Sequence, residues 1–246
     1  MTKYFTNTFS FLNVYKKPLI KSEIVTQMIY GESFKIVKKN KKWLSIKIKE
    51  DNYKGFIKKR KFKDFQKPTH KICSLQANVY QSSNNKKIIN KLTFGSKIKI
   101  TEKKSNLMRF EMGWVNKKDV QSIFFVEKNY FKNILLFKNI KYKWGGKTFK
   151  GIDCSGLIQV CLNFNNKYCP RDTSEQIKYF KKNIKLDKIK TNDVIYWKGH
   201  VAVALSNKKL IHAYGPKKKT IIMNINKTIK IINNTANLKV LSIKRI

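Results

Sequence analysis

The sequence predicts two small antiparallel β domains followed by a larger α+β domain. The β domains are indicated by an internal repeat of roughly 60 residues, within which apolar and polar residues alternate. The α+β domain is indicated by a change near Phe124, after which apolar residues first take helical spacing and then form short strand-like runs. We place the domain boundaries at 1–66, 67–122 and 123–246.

Three segments of the first β domain recur, in the same order, in the second one. The segment "NVYKKP" returns as "NVYQSS", "YGESFKI" returns as "FGSKIKI", and "YKGFIKK" returns as "EMGWVNKK". In the first copy, polar residues separate the apolar residues Phe34, Ile36, Leu44, Ile46 and Ile48. This alternation is typical of strands with one buried and one solvated face, and about five short strands per copy predict a small barrel.

The α+β domain is predicted to begin with helices. Apolar spacing predicts one helix over 131–138 and a second that begins at Cys154 or Ser155. A third is predicted to begin after Asp172 or Thr173, where the sequence resembles a capping box. Turn residues then separate four predicted strands, at 194–197, 200–205, 210–213 and 220–225. Helices followed by a meander indicate an α+β fold rather than an alternating α/β fold.

One cysteine and two histidines form the chemical constellation of this domain. Cys154 stands where an apolar helix begins, so the helix N-terminus is expected to lower the pKa of its thiol. His200 opens one predicted strand and His212 lies in the next; pairing residue i with residue 413 − i places His200 opposite position 213. A thiol with two imidazoles supplies a nucleophile, a base and an orienting group, as in cysteine hydrolases.

The other cysteines and the third histidine are expected to be structural or superficial. Cys161 and Cys169 fall within or beside apolar segments and serve as examples of core cysteines, while His70 lies in a polar linker. The chain has four Cys and three His without a CxxC pair, which gives a zinc site little support and does not indicate a disulfide framework.

The chain carries 55 basic and 14 acidic residues, a formal net charge of +41, and nearly all of the basic residues are Lys spread over every segment. Such a charge attracts polyanions or acidic small substrates, but the scatter of the Lys residues favours a solvated surface of drifted composition. A hydrophobic content of 41% excludes a disordered polycation. The N-terminal segment has no uninterrupted apolar run, so the expected compartment is the cytoplasm, without a membrane span.

Five motifs in residues 142–212 resemble the NlpC/P60 family of cell-wall cysteine peptidases. They are, in order, "YKWGGKTFKGIDCSGLIQ", "CPRDTSEQ", "NDVIYW", "GHVAVAL" and "LIHAYG". The two N-terminal repeats resemble bacterial SH3-like (SH3b) domains, and the complete arrangement is similar to that of γ-D-glutamyl-L-diamino-acid endopeptidases of the dipeptidyl-peptidase VI type.

The resemblance implies a papain-like α+β catalytic domain preceded by two SH3-like barrels. It implies Cys154 as the nucleophile, His200 as the general base and His212 as the residue that orients the imidazole of His200. It also implies that Tyr142 lies near the site of the oxyanion. No cofactor and no metal are implied.

The resemblance further implies a set of substrate-binding residues. The positions that bind the substrate's free amino terminus and its D-Glu portion match Asp153, Ser155, Asp172 and Thr173. In relatives Ser is frequent at the last position, and Thr keeps the hydroxyl. An acid and a tyrosine of the first barrel would close the site over the substrate amine; the best matches are Glu23 and Tyr53, with Glu32 as the competing acid.

The implied activity is hydrolysis of the bond between γ-D-Glu and a diamino acid in wall peptides with free N-terminal L-Ala. The implied setting is muropeptide recycling by a cytoplasmic monomer that takes a small acidic substrate, with no nucleic acid or membrane partner. Two alternatives remain at this level: a non-enzymatic protein that binds wall glycan or nucleic acid through its barrels and basic surface, and an exported wall hydrolase. The sequence leaves open whether the diamino acid is Lys or diaminopimelate.

Overall fold

The computed structural model describes residues 3–84 and 87–246, which divide into two compact units. Unit 1 is Met1–Val126 with Lys147–Phe149 and Asn163–Asn166. Unit 2 is Glu127–Gly146, Lys150–Leu162 and Lys167–Ile246. The predicted catalytic residues all belong to unit 2, and the two predicted barrels belong to unit 1.

The first repeat forms an antiparallel sheet of seven described strands with the order β3-β2-β6-β5-β4-β1-β7. The strands are β1 (Phe5–Thr6), β2 (Phe11–Tyr15), β3 (Ile24–Ile29), β4 (Ser33–Lys39), β5 (Trp43–Ile48), β6 (Lys54–Lys58) and β7 (Lys63–Asp64). The alternation predicted for this repeat is confirmed in β5, where Leu44, Ile46 and Ile48 are buried and Ser45 and Lys47 are not. The buried face packs into one apolar core with Val14, Met28 and Phe34.

The second repeat forms two smaller sheets over the described residues, with the orders β10-β9-β14-β13-β12 and β11-β8-β15. The strands are β8 (His70–Ile72), β9 (Gln76–Tyr80), β10 (Ile88–Thr93), β11 (Lys97–Ile98), β12 (Glu102–Lys104), β13 (Leu107–Phe110), β14 (Gly113–Asn116) and β15 (Val120–Ser122), with a 3-10 turn at Lys117–Asp119. They enclose a second core that includes Val79, Leu92 and Met108, and Tyr30 of the first repeat packs into it.

The remaining elements carry the predicted catalytic residues. They are a 3-10 helix (Lys132–Phe137), β16 (Lys147–Thr148), β17 (Gly151–Ile152), α1 (Cys154–Phe164), α2 (Thr173–Tyr179), a 3-10 turn (Leu186–Lys188), β18 (Val194–Trp197), β19 (His200–Ala204), β20 (Lys209–Tyr214), a 3-10 turn (Gly215–Lys217), β21 (Lys219–Asn224), α3 (Ile225–Ala236) and β22 (Ser242–Lys244). Within the described part of unit 2, five strands form one antiparallel sheet in the order β21-β20-β19-β18-β22.

The four strands predicted for this sheet are confirmed to within one residue at each end, and both predicted helix starts are confirmed. The helix predicted over 131–138 is wrong in type, because only a short 3-10 helix forms there. Leu135 and Leu136 remain exposed, while Ile134 and Phe137 are buried. Helix α3 was not predicted, although Asn224 caps it by accepting a hydrogen bond from the Lys227 amide.

The predicted register of the β19–β20 hairpin is wrong by one residue. Val203 pairs with Ile211 and Ala204 with Leu210, so the partner of residue i is 414 − i rather than 413 − i. A one-residue change of register moves every side chain to the opposite face of a strand pair. The observed register makes His200 and His212 diagonal neighbours on one face, whereas the predicted register would have separated them.

Among the described residues, no helix has the length and apolar character that crossing a bilayer requires.

Candidate active site

The turn before α1 places Cys154 as the first residue of a buried helix. The Asp153 carboxylate caps the helix, because its Oδ1 atom accepts a 2.7 Å hydrogen bond from the Gly156 amide. Gly156 is required by close packing, since a Cβ there would lie 2.5 Å from the carbonyl oxygen of Gly146. The Asp153 cap and Gly156 together determine the residue at which α1 begins, and therefore the position of the Cys154 thiol.

Arg171 lies just before α2 and binds two residues of this turn. Its guanidinium contacts both carboxylate oxygens of Asp153, at 3.0 and 2.5 Å, and donates to the Ser155 hydroxyl at 2.8 Å. Arg171 is 1% exposed and Asp153 is 4% exposed, so the pair is removed from solvent. A second amide, that of Gly145, also donates to Asp153, at 2.8 Å. The carboxylate is therefore saturated with donors.

Sequence reasoning missed Arg171, although a signal was present. The chain has 55 basic residues, almost all of them Lys, and an Arg in such a chain marks a place where a flat, two-pronged donor is needed. Here the guanidinium binds both Asp153 and Ser155, which flank Cys154 on either side.

The two predicted histidines are in direct contact. His200 Nε2 lies 2.9 Å from His212 Nδ1, and the rings are 5.1 Å apart between centroids. His212 is fully buried; its other nitrogen, Nε2, lies 3.4 Å from the sulfur of Met223, and Tyr214 stacks on it with an interplanar angle of 10°. The indole of Trp197 packs beside His200 at 5.6 Å. His212 is therefore fixed on two edges and one face.

Cys154 is 5% exposed, and its thiol points toward the carbonyl oxygen of Gly199, 4.0 Å away. The expectation of a lowered pKa was wrong: burial raises the pKa of Cys154 to about 12, and the Asp153 carboxylate raises it further. Amides of Val201 and Ser155 act in the opposite direction but are outweighed. The prediction of a lowered pKa considered only the position of Cys154 at the helix N-terminus. It considered neither the burial of the thiol nor the charge of the capping Asp153 carboxylate.

Burial also decides the charge of the imidazoles. It lowers the pKa of His200 to about 4. It lowers the pKa of His212 to about 3, and His200 adds to that effect. At neutral pH the resting site therefore contains a thiol and two neutral imidazoles, rather than a thiolate–imidazolium pair. Such a site can transfer the thiol proton to a neutral base when a substrate arrives, which is general-base activation of a nucleophile.

Tyr142 belongs to the same site. Its amide donates to the carbonyl oxygen of Lys218 at 2.9 Å, and a parallel bridge to Ile152 sets it beside the segment that leads into Cys154. Burial raises the pKa of its phenol, and Cys154 and Asp153 raise that pKa further, so the hydroxyl lies within electrostatic reach of both groups. The phenol thus remains a hydrogen-bond donor at neutral pH.

The predicted substrate-binding residues fall into three groups. Asp153 and Ser155 are buried and bound to Arg171. Asp172 and Thr173 are half-buried at the start of α2, directly after that arginine.

The third group lies in unit 1, where Glu23 is exposed and paired with Lys16 at 3.1 Å, and Tyr53 packs against the first barrel's core. The competing acid Glu32 is buried and paired with Lys147 at 2.7 Å. The role of all these residues in substrate binding stays a prediction.

Within the described chain, no group of three His, Cys, Asp or Glu side chains is placed to hold a metal ion.

Comparison with known sequences matches residues 139–235 to the NlpC/P60 family and residues 14–62 to the bacterial dipeptidyl-peptidase Sh3 domain. Dipeptidyl-peptidase 6 of Lysinibacillus sphaericus is 27% identical, over 82% of this chain and 84% of that protein. The gamma-D-glutamyl-L-lysine dipeptidyl-peptidase of Bacillus subtilis (strain 168) is 25% identical, over 84% of this chain and 77% of that protein.

Among solved structures, an NlpC/P60 family protein from Bacillus cereus ATCC 10987 superposes with a TM-score of 0.81. The match covers 99% of both chains at 14% identity, which shows a shared fold. Cys154, His200 and His212 all lie within the segment that matches the NlpC/P60 family. The chain therefore contains an NlpC/P60 domain together with a bacterial dipeptidyl-peptidase SH3 domain.

Proposed function

We propose that the protein hydrolyses the bond between γ-D-Glu and a diamino acid in wall-derived peptides that carry a free N-terminal L-Ala. The observation that carries the proposal is the contact between His200 and His212 on the sheet that also places Gly199 against Cys154. Relatives named for dipeptidyl-peptidase activity, one of them on γ-D-glutamyl-L-lysine, support the choice of bond.

The proposed reaction begins with transfer of the Cys154 proton to His200 as the sulfur attacks the scissile carbonyl carbon. Transfer within the buried site replaces two neutral groups by an adjacent ion pair, which costs less than either charge alone. His212 remains neutral and accepts a hydrogen bond from the His200 imidazolium. The Tyr142 phenol and the first amides of α1 are the donors available to the developing oxyanion.

His200 then returns its proton to the leaving amine of the diamino acid, and the C–N bond breaks to leave a thioester on Cys154. Water attacks this thioester and gives its proton to His200, which passes it to the departing sulfur. The products are the dipeptide L-Ala-D-Glu and the free diamino acid or the peptide that begins with it.

Recognition of the free amine is assigned to Asp172, which lies directly after the buried Arg171 and is half-buried at the start of α2. A charge-assisted hydrogen bond from an ammonium to a carboxylate is the strong kind of polar contact. The net charge of +41 favours the approach of a substrate with several carboxylates, in a manner that salt should weaken.

The test is mass spectrometry of products from the free tripeptide L-Ala-γ-D-Glu-diamino acid and from its N-acetylated form. We expect the dipeptide to appear from the free tripeptide only. Cleavage of both peptides would refute the amine requirement, and cleavage of neither would refute the proposed function.

A substitution of Asp172 tests the proposed contact with the substrate amine. We expect Asp172→Asn to lower kcat/KM for the free tripeptide by roughly 10- to 100-fold, the effect of one charged hydrogen bond. The exposed acid Asp187 supplies the control, because Asp187→Asn changes the same charge in the same unit and should leave kcat/KM unchanged. Equal effects of the two changes would refute the assignment.

We also propose that residues 67–122 form a second SH3-like barrel. The "NVY" segments lie at corresponding places, in β2 and β9, and Gly31 and Gly95 share φ values of 82° and 80°. Each repeat has a core formed mainly by its own residues, with Tyr30 of the first repeat packed into the core of the second. If the proposal holds, a fragment limited to residues 67–122 folds and gives dispersed NMR signals.

The proposed physiological substrate is a released peptide rather than the intact wall. We also propose that the protein is a monomer and acts in the cytoplasm. The word dipeptidyl-peptidase in the names of the relatives describes removal of a dipeptide from a chain end, which suits free peptides. Faster release of product from intact sacculi than from free tripeptide would contradict this choice.

A further inference from the structure

We propose that Met223 is a positioning residue whose sulfur fixes the tautomer of His212 and thereby leaves Nδ1 of His200 free of a proton. The proposal rests on the proposed function for its consequence in catalysis, but the tautomer itself is a property of the resting protein and can be observed without substrate.

Strand pairing brings the two side chains together. Met223 lies on β21, where it pairs with Leu210, and His212 pairs with Ile221. Met223 and His212 are therefore diagonal neighbours on one face of the sheet, a spacing that long side chains can bridge. The sulfur lies 3.4 Å from His212 Nε2, at a hydrogen-bonding distance for a nitrogen donor and a sulfur acceptor.

Proton counting then leaves one arrangement. A neutral imidazole has one N–H, and a thioether can accept a hydrogen bond but cannot donate one. The contact with Met223 therefore requires the proton of His212 on Nε2, which leaves its Nδ1 as an acceptor. Nδ1 faces His200 Nε2 at 2.9 Å, so His200 must be the donor in that contact and must carry its own proton on Nε2.

The tautomer of His212 determines whether the other ring nitrogen of His200, Nδ1, can act as a base. With the proton on Nε2, Nδ1 of His200 holds a lone pair and can take the proton of a thiol. The opposite tautomer of His212 would donate from Nδ1, would force the proton of His200 onto Nδ1, and would leave no base there. A chain of two imidazoles has only these two polarities, and the sulfur selects the productive one.

A thioether suits this task better than a carboxylate. It is uncharged and a weak acceptor, so it can bias a tautomer without stabilising a positive charge on His212. A carboxylate at the same place would raise the pKa of His212 and make it compete with His200 for the proton. The stacked ring of Tyr214, 4.6 Å away, holds the imidazole plane while the sulfur sets its proton.

The experiment compares the wild-type protein with Met223→Leu, which keeps the bulk but removes the acceptor, and Met223→Gln, whose side-chain oxygen restores one. Met108→Leu is the matched control, since it removes a thioether from the core of the second repeat in unit 1. The readout is long-range ¹H–¹⁵N NMR of the imidazole nitrogens at neutral pH. The chain has only three His, so the spectrum is small enough to assign.

We expect the Nε2–H tautomer of His212 in the wild type, in Met223→Gln and in Met108→Leu, and a mixture of tautomers in Met223→Leu. We expect Met223→Leu to lower kcat for the tripeptide by about three- to tenfold with KM little changed, the effect of one neutral hydrogen bond, and Met223→Gln to restore it.

A wild-type spectrum with the proton on Nδ1 of His212 overturns the proposal, whatever the variants do. An unchanged Nε2–H tautomer in Met223→Leu overturns it as well. Wild-type protein that shows the expected tautomer but does not cleave the tripeptide would contradict the proposed function and leave the role of Met223 in place.

Discussion

Replacement of Arg171 by Met is expected to destabilise the turn that carries Cys154. The change removes the positive partner of Asp153 and leaves a carboxylate that is 4% exposed. Removal of one partner from a buried pair costs about 3–5 kcal/mol, because the remaining charge is uncompensated. Two amides, from Gly145 and Gly156, still donate to this carboxylate, so we expect a value near the lower limit, ~3 kcal/mol.

The assay is hydrogen exchange of the α1 amides in urea, which reports local opening in a chain that has more than one unit. Two comparisons bracket the result. Arg171→Lys keeps a charge but loses the fork, and we expect about half the loss. Arg109→Met breaks an exposed pair with Glu102, 3.2 Å long, in unit 1, and exchange of the β13 amides should show a loss of at most ~1 kcal/mol. Equal losses in Arg171→Met and Arg109→Met would refute the reasoning.

Three further predictions concern the buried ion pair of unit 1, the pH dependence of the site and a strained glycine. Lys147→Met should cost ~3–5 kcal/mol of unit 1 stability at neutral pH, measured by hydrogen exchange. Burial raises the pKa of Glu32, so this loss should shrink as the pH falls and the carboxyl takes up a proton. Burial holds the pKa of His200 at about 4, below its unfolded value near 6.5, so kcat/KM should keep its plateau down to about pH 5. The contribution of His200 to the free energy of unfolding should fall by at most ~1.4 kcal/mol per pH unit between pH 6.5 and 4, and His212 should add a fall in the same direction. Loss of the kcat/KM plateau near pH 6.5 would contradict this. Gly31→Ala should cost clearly more in thermal melts than Gly95→Ala, because both have positive φ but only at Gly31 would a Cβ overlap a backbone carbonyl oxygen.

The sequence could predict the parts of the site that lie close together along the chain. The helix start at Cys154 is encoded by a capping acid and an apolar run, and the strands that carry His200 and His212 are encoded by apolar runs with turn residues between them. These signals are local, so they survive without knowledge of the tertiary structure.

The parts that failed depend on tertiary structure. Arg171 meets Asp153 across 18 residues of sequence, and no periodicity predicts that partner. The hairpin register depends on how the turn closes, with Leu205 donating to Lys209, and a turn rich in Ser, Asn and Lys permits more than one closure. The direction of the pKa shift of Cys154 depends on burial, which a helix position alone does not reveal.

Helix α3 was missed for a different reason. Its β-branched residues and the preceding run "TIIMN" favour a strand by propensity, and the strand β21 does form there. The chain changes to helix at Asn224, whose side chain caps the first turn, and a search for capping residues would have located the boundary.

The central claim is that Cys154 is the nucleophile of a peptidase, and the matched comparison is between two buried cysteines of one helix. Cys154→Ala and Cys161→Ala remove the same atom from positions that are 5% and 1% exposed, and Cys161 lies two turns further along α1 than Cys154. The measurement is the rate of dipeptide release from free tripeptide by each variant. We expect release to be abolished in Cys154→Ala and retained in Cys161→Ala; release by folded Cys154→Ala at the wild-type rate would contradict the account.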